Sequence, residues 1–234
     1  MQNAKEWLAV KGASWRHPHG PDSDVKGKRN YPVVQISYND AFEYCTWAQR
    51  ELPSEVEWEY AARGGLVNMS FPWGDTFSYL NLNIWEEDKK KMEEEKKKNG
   101  EDRFPSNNNK MSDGYLGTAP VLSFQSNGFG LYNMVGNVWE WCAGGTKQNR
   151  VLRGGSFVDS YDGNYHHAVR VSTRMVNSAD SAADNNGFRC ISRPNRGKRA
   201  SSEAEDNALG ESSSNDDGIN GSGKGDKKIE RMEL

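Results

Sequence analysis

The chain is poor in cysteine and in recognisable nucleophile motifs. It contains Cys45, Cys142 and Cys190 and no Cys-x-x-Cys pair, so no dithiol redox motif is present. Ser156 follows two glycines but lacks the Gly-x-Ser-x-Gly frame of a hydrolase nucleophile. An odd number of cysteines allows one disulfide and one free thiol, and the spacing alone does not say which two are joined.

The chain also lacks an excess of one charge and a long apolar run. Its formal net charge is −3, with acids and bases mixed along the sequence, which argues against a nucleic acid partner. No apolar run approaches the length of a membrane span, and the opening residues MQNAKEWLAVKG have no apolar centre typical of a signal peptide. We therefore expect no nucleic acid partner and no membrane span.

Glycine and tryptophan, in contrast, are abundant. The chain has 24 glycines, 8 tryptophans and 35% hydrophobic residues, which together indicate one sizeable core in a loop-rich globular domain. Residues 71–189 consist of short apolar pieces separated by Gly, Asn, Asp and Pro. This pattern predicts short strands joined by long structured loops.

Capping boxes predict two helices. The first begins near Ser37, with Asp40 three residues later. The second follows Ser54, with Glu57 three residues later, and Gly64 marks its end. The side chains expected to face the core are Ala41, Phe42, Cys45 and Ala48 from the first helix, and Val56, Trp58, Tyr60 and Ala61 from the second.

Two polar segments are expected outside the core. Residues 86–103 place acids and lysines at i, i+4 spacing, which is typical of a short solvated helix or a surface insertion without a binding role. Residues 195–234 have almost no large apolar side chains, so we expect a disordered tail after a folded domain at 1–194. The chain ends in RMEL, which keeps the last two residues of a KDEL-type retention signal.

Two sets of oxygen-bearing residues are candidates for a hard cation such as calcium. One lies within residues 133–141, where an Asn, backbone carbonyls and a Glu occur close together. The other is split by the first polar segment, with Asn83 and Ile84 before it and Asp113 and Tyr115 after it. From spacing alone, the favoured interpretation is that Asn and Gly shape turns while the tryptophans fill the core.

The histidines are candidates for a transition metal site. They occur as His17 and His19, and as His166 and His167. The first pair flanks a proline, and neighbouring side chains on a strand point apart, so neither spacing favours a metal site. Ordinary loop histidines are the favoured interpretation.

Several segments, taken in order, are similar to one protein family. They are YPVVQISYNDAFEYCTWA, ELPSEVEWEYAARGG, FPWGD, GTAPV, GFGLYNMVGNVWEW, RVLRGGSF and DNNGFRC. The series resembles the sulfatase-modifying factor family, which includes the formylglycine-generating enzyme, over about residues 7–192. The resemblance implies a compact, loop-rich α+β fold related to C-type lectins. The segment WRHPHGPDS lies well inside the domain of that family, so we expect the chain to be incomplete at its N-terminus.

The resemblance implies two calcium sites, and so favours calcium binding over the interpretation that these residues only shape turns. Backbone carbonyls of four of the residues would contribute beside side-chain oxygens. The first site would use Asn83, Ile84, Asp113 and Tyr115, and the second Asn133, Gly136, Val138 and Glu140.

The resemblance also locates a missing redox centre. The active enzyme of the family oxidises a cysteine in a Cys-x-Pro-x-Arg stretch of unfolded sulfatases to formylglycine, using oxygen and copper(I) held by two cysteines. In this chain the first cysteine position is Asp159, and the second falls around His166. Aspartate is a hard oxygen ligand and cannot replace a thiolate that holds copper(I). We therefore expect no copper, and the sequence favours the non-catalytic paralogue of the family over an enzyme.

Three further expectations come from the same resemblance and its setting. The family pattern joins Cys45 to Cys190 in a disulfide. Asn68 and Asn220 open glycosylation sequons if the chain enters the secretory pathway. The expected location is the lumen of the endoplasmic reticulum.

The expected function is binding without catalysis. The partners would be unfolded sulfatases or the active formylglycine-generating enzyme, with a homodimer or heterodimer as the assembly, and the effect would be to modulate formylglycine formation. One alternative is an active oxidase with atypical ligands. Another is a lectin-like module that binds glycans or proteins.

Overall fold

The computed structural model describes residues 8–85 and 113–193. Along these residues the order of elements is α1 (Tyr38–Trp47), α2 (Glu55–Arg63), a 3-10 helix (Tyr79–Asn81), β1 (Trp139–Cys142), β2 (Arg150–Arg153), β3 (Arg174–Asn177) and β4 (Asn186–Phe188). The predicted loop-rich α+β class is confirmed. No helix in these two ranges is long and apolar enough to cross a membrane. The predicted polar insertion at 86–103 and tail at 195–234 lie outside the described residues.

Both predicted capping boxes are present. The Ser37 hydroxyl accepts a hydrogen bond from the amide of Asp40, and the Asp40 carboxylate accepts one from the amide of Ser37. Ser54 and Glu57 make the same reciprocal pair at the start of α2. These bonds satisfy amides at the first turn that have no partner within the helix.

The buried faces of the two helices are narrower than the sequence predicted. Helix α1 buries Tyr38, Ala41 and Cys45, whereas Phe42 is 47% exposed. Helix α2 buries Trp58, Ala61 and Ala62. The prediction was wrong for the side chains outside these buried faces, because a short surface helix packs only one i, i+3, i+4 face against the core. Besides Phe42, the misassigned side chains are Ala48, which is half-buried, and Val56 and Tyr60, which are exposed.

The strands form one mixed sheet in the order β3-β2-β1-β4. Strand β1 pairs antiparallel with β2, where Glu140 lies opposite Arg153. It pairs parallel with β4, where Glu140 lies opposite Gly187. The sheet therefore places the Glu140 carboxylate on an inner strand, between β2 and β4.

Buried apolar side chains form two groups, and β1 contributes to both. Trp139 and Trp141 pack in one group with Cys45 and Cys190. Cys142 packs in the other group with Trp58. This division follows from the alternation of side chains along a strand.

The predicted disulfide is confirmed. Cys45 and Cys190 are joined with their Cα atoms 5.6 Å apart and 145 residues apart in sequence. The bond ties α1 to the segment that follows β4, which also carries Arg189. Cys142 is free and buried.

Candidate functional site

The turn after β2 directs a serine into the interior. Gly154 and Gly155 both have positive φ, 96° and 77°. A Cβ atom added at Gly155 would lie 2.9 Å from Val169 Cγ2, so a larger residue would displace the facing segment. Ser156 follows with no exposed surface. This turn sets the start of the segment 156–167, here called the Asp159 loop.

Asp159 accepts four hydrogen bonds from its own loop. Its Oδ2 accepts from the amide and hydroxyl of Ser156, at 2.8 and 2.6 Å. Its Oδ1 accepts from the amide and Nδ1 of His167, at 3.1 and 2.9 Å. The residue is 1% exposed. The position expected to have lost a cysteine therefore holds a buried carboxylate with its acceptor capacity filled.

The structure brings His167, rather than its neighbour His166, to Asp159. The His167 side chain is 42% exposed and its ring lies edge-on to Trp139, with centroids 5.0 Å apart. The hydrogen bond that His167 donates to the Asp159 carboxylate raises the pKa of His167, and partial burial opposes this shift. His166 is exposed, with a φ of 58°, and its ring packs edge-on against Tyr165.

Residues from two other segments hold the Asp159 loop in place. Asn185 Nδ2 donates to the Ser156 hydroxyl at 3.0 Å. The Trp85 amide donates to the Asp159 carbonyl at 2.8 Å, and the Trp85 ring stacks on Tyr165 at 4.8 Å. Sequence reasoning missed Asn185 and the partnership of His167 with Asp159. The only signal in the sequence was an Asp eight residues before a His, and that spacing does not indicate a contact.

No reactive thiol serves this site. Two of the three cysteines are joined in the disulfide. The third, Cys142, is fully buried, and burial followed by the charge of Glu140 raises the pKa of its thiol well above the ordinary value. The thiolate is the form that binds copper(I) and exchanges disulfides. The arrangement therefore offers carboxylate and imidazole groups in place of thiolate chemistry.

The segment 133–140, here called the Glu140 loop, contains a buried oxygen that lacks a partner. Asn133 Nδ2 donates to the carbonyl of Val121 at 2.8 Å. Asn133 Oδ1 is buried and has no hydrogen-bond partner. An unsatisfied buried acceptor costs free energy, and a cation satisfies it directly. This observation fits the calcium ligand set implied by the family resemblance.

Glu140 is held by groups from two elements. Its Oε2 accepts from Trp58 Nε1 and Arg189 Nε, both at 2.6 Å, and its Oε1 accepts from Arg189 Nη2 at 2.6 Å. Arg189 Nη2 also donates to the Tyr132 carbonyl at 3.2 Å, next to Asn133. A carboxylate oxygen with one hydrogen bond keeps a lone pair, so Oε1 can still coordinate a cation.

Gly136 brings the two predicted calcium sets into contact. A Cβ atom at Gly136 would lie 2.4 Å from the carbonyl oxygen of Asn83, and Gly136 has a φ of 75°. Asn83 Nδ2 donates to the Gly117 carbonyl at 2.7 Å and to Asn137 Oδ1 at 3.2 Å. Glycine is therefore needed where the Glu140 loop crosses the segment that carries Asn83.

The remaining residues of the first set lie in the described part of the chain. Asn83 and Ile84 are fully buried, and Asp113 is 7% exposed. Asp113 Oδ1 accepts from the Tyr115 amide at 2.9 Å. Within residues 8–85 and 113–193, no cluster of three or more His, Cys, Asp or Glu could hold a metal, so each ion would depend on amide and backbone oxygens beside a single carboxylate. Both calcium sites stay predictions.

Of the two predicted glycosylation sites, Asn68 lies in the described structure and Asn220 lies outside it. Asn68 is exposed in the loop after α2, with a φ of 58°. Its side chain is therefore at the surface, where a glycan can be attached.

The chain is similar to known proteins over most of its length. Residues 1–194 match the family model described as the sulfatase-modifying factor enzyme 1-like domain. The chain is 45% identical over 197 residues to the inactive C-alpha-formylglycine-generating enzyme 2 of Bos taurus, covering 82% of this chain and 60% of that protein. It is 43% identical over 204 residues to the formylglycine-generating enzyme of Mus musculus, covering 79% of this chain and 50% of that protein.

A solved structure gives the same result for the fold. The Treponema denticola variable protein 1 matches with a TM-score of 0.52 at 21% identity, covering 78% of each chain. The chain spans 60% of the length of the bovine relative and 50% of the murine one. With residues 1–194 matched by the family model, the chain belongs to the sulfatase-modifying factor enzyme 1-like family.

Proposed function

We propose that this protein is a non-catalytic paralogue of the formylglycine-generating enzyme that binds unfolded sulfatases or the active enzyme in the endoplasmic reticulum lumen. Binding would modulate the conversion of the sulfatase cysteine to formylglycine. The observation that carries the lack of catalysis is Asp159, a buried carboxylate with four internal donors, at a position where the family resemblance implies a cysteine.

Two further observations support the absence of catalysis. The carboxylate is a hard ligand and has no redox chemistry, so it cannot hold copper(I) or exchange disulfides. The one cysteine outside the disulfide is buried, with the pKa of its thiol raised. The similarity to a protein named inactive C-alpha-formylglycine-generating enzyme 2 agrees with both.

We also propose that two calcium ions stabilise the fold. Asn133 Oδ1 and Glu140 Oε1 would be side-chain ligands of one ion, with the carbonyls of Gly136 and Val138. Asn83 and Asp113 would serve the other, with the carbonyls of Ile84 and Tyr115. The unsatisfied Asn133 Oδ1 supports the first assignment. Calcium would supply charge and rigidity to these loops, and no catalytic step is assigned to it.

The luminal location is supported by two features of the described residues. A disulfide between distant segments persists in an oxidising compartment. The exposed Asn68 begins an Asn-x-Ser sequon.

The proposal is tested by binding and by its effect on the active enzyme. The full chain would be immobilised and exposed separately to an unfolded sulfatase and to the active enzyme. We expect saturable binding of at least one of them and a changed rate of formylglycine formation when the chain is added to the active enzyme. Absence of binding to both, with no change in that rate, would contradict the proposal.

A further inference from the structure

We propose that a surface cleft beside Trp73 holds the first N-acetylglucosamine of a glycan attached to Asn68 of the same chain. This placement rests on the proposed luminal location, because sequons are glycosylated in the secretory pathway. It does not depend on the binding of sulfatases. The cleft lies outside both the Asp159 loop and the Glu140 loop.

The cleft suits a neutral ligand. It has a volume of about 410 Å³ and is lined by two short segments of the chain. Among the described residues the lining carries no charged side chain and consists of Pro72, Trp73, Gln125, Ser126, Asn127 and Gly128. An aromatic ring beside an amide and a hydroxyl matches a sugar ring, which presents a C–H face and neutral hydroxyl groups.

Trp73 is fixed in place by the protein itself. Its ring stacks on Phe71, with the centroids 5.1 Å apart and the ring planes inclined by 8°. Its Nε1 donates to the Thr76 carbonyl at 2.9 Å. Trp73 is half-buried and lines the cleft, so part of its surface is open to a ligand. A ring that is already immobile loses little conformational entropy when a sugar packs against it.

The segment 125–128 supplies polar groups from a loop that is also held in place. Asn127 Nδ2 donates to two carbonyls at the end of α2, and Asn127 Oδ1 accepts from two amides of its own loop. No described residue forms a hydrogen bond with the side chain of Gln125 or Ser126. These two side chains therefore have donors and acceptors available for the acetamide and hydroxyl groups of a sugar.

Both ends of the loop that carries Asn68 border the cleft. At one end, a Cβ atom added at Gly64 would lie 2.8 Å from Asn127 Cβ. At the other end, Pro72 is part of the lining. Asn68 is exposed midway between Gly64 and Pro72, so its backbone lies at most about 14 Å from either. A glycan on Asn68 is therefore tethered next to the cleft, and tethering compensates for the weak affinity of a single sugar.

The first test compares glycoforms of one polypeptide. The full chain would be secreted with a cleavable leader in an Asn220→Gln background, so that Asn68 begins the one remaining sequon. One sample would be trimmed by an endoglycosidase to a single N-acetylglucosamine, and another would be produced with N-glycosylation blocked. We expect the trimmed form to melt about 2–4 °C above the glycan-free form, the effect of one aromatic contact in a chain of this size.

Two tryptophan variants separate this contact from a general effect of the glycan. In Trp73→Leu the trimmed and glycan-free forms should melt within about 1 °C of each other. Trp47→Leu, at an exposed tryptophan on α1, should keep the full difference. Each difference is taken within one variant, so the cost of the substitution itself cancels.

A second measurement needs no variant at Trp73. In the trimmed chain, nuclear Overhauser effects should link the acetyl methyl group of the sugar to the indole protons of Trp73. Their absence, a glycan effect on melting that survives Trp73→Leu, or an unmodified Asn68 in the secreted chain would overturn the placement. So would free chitobiose bound at Trp73 by the glycan-free chain while the Asn68 sugar makes no such contact, since the cleft would then serve the glycan of another molecule. Because the leader directs the chain into the secretory pathway, these outcomes report on the cleft and not on the native location or on sulfatase binding.

Discussion

The Asp159 loop and the Glu140 loop satisfy their buried polar atoms in opposite ways. In the first, each carboxylate oxygen of Asp159 accepts two hydrogen bonds from residues of the same loop. In the second, Asn133 Oδ1 is buried without a partner, although Glu140 is paired to Arg189. The Asp159 carboxylate is saturated by protein donors, whereas Asn133 Oδ1, like Asn185 Oδ1 and Asn186 Oδ1, is a buried acceptor that could still take a ligand or a water molecule.

The two loops differ in what they need from a ligand. The Asp159 loop holds its buried carboxylate with four hydrogen bonds from protein groups. The Glu140 loop carries the proposed calcium ligands, and protein groups leave its Asn133 Oδ1 without a partner. We therefore expect metal removal to affect the Glu140 loop and to leave the Asp159 loop unchanged.

The largest expected effect comes from the disulfide, which joins α1 to the segment after β4. Loss of the disulfide through Cys45→Ser should lower the free energy of unfolding by about 5 kcal/mol, the chain-entropy value for a closed loop of this length. The separation of 145 residues and the position of Cys190 next to Arg189 make the effect global. Urea unfolding measures it, and Cys142→Ala is the control at a buried cysteine outside the bond, which should cost roughly 1–2 kcal/mol and clearly less than loss of the disulfide. Similar losses in both variants would contradict the assigned role of the bond.

The next effect tests closure of the Asp159 loop. Asp159→Ala leaves the buried amide and hydroxyl of Ser156 without their acceptor, so the free energy of unfolding should fall by roughly 3 kcal/mol. Chemical denaturation gives the value. Asp180→Ala, at an exposed position after β3, serves as the control and should change stability little. A neutral Asp159→Ala would show that the loop is not held by its carboxylate.

Calcium is expected to stabilise the protein through the Glu140 loop and not through the Asp159 loop. A ligand present at a hundredfold excess over its dissociation constant stabilises the native state by about 2.7 kcal/mol, so the melting temperature should be higher in calcium than in chelator. Asn133→Ala should reduce this difference, because it removes a side-chain ligand of one of the two proposed ions. Asp159→Asn should keep the difference. Identical calcium shifts in the two variants would remove the distinction between the loops.

The smallest effect is a pH dependence in the Asp159 loop. Asp159 raises the pKa of His167 above its ordinary value of 6.5, and the Trp139 ring packs against the imidazole. The stability contributed by the pair is fully present below about pH 6.5 and is lost as the pH rises through the folded pKa. Because the side chain is 42% exposed, solvent screening limits the loss to about 1 kcal/mol or less.

The free energy of unfolding would be measured for the native chain and for His167→Gln at several pH values. The difference between the two gives the stability contributed by the His167–Asp159 pair. The difference should be largest on the acidic side of neutrality and shrink in alkaline buffer. A difference that grows with pH would contradict the direction of the pKa shift.

Local sequence signals predicted the local structure well. The Ser-x-x-Asp and Ser-x-x-Glu patterns located both helix starts because a capping box is made within four residues. The helix faces were less predictable, since apolar side chains such as Phe42 and Val56 remain exposed where no other element covers them. The disulfide and the vacated position at Asp159 were inferred from the family resemblance and not from spacing.

Contacts across loops could not be predicted in this way. His167 reaches Asp159 over eight residues with no regular element between them, and Asn185 reaches Ser156 over 29 residues. No periodicity marks such partners, because loop closure and not helical or strand geometry brings them together. The unfilled oxygen of Asn133 is likewise visible only once its surroundings are known.

The central claim is that the closed Asp159 loop carries no oxidation chemistry. The most direct test incubates the full chain with copper(I), oxygen and a Cys-x-Pro-x-Arg peptide, with the active formylglycine-generating enzyme as a positive control, and then weighs the peptide by mass spectrometry. We predict that the peptide keeps its cysteine in the presence of this chain and is converted by the control enzyme. Copper-dependent conversion of the cysteine to an aldehyde by this chain would contradict the claim.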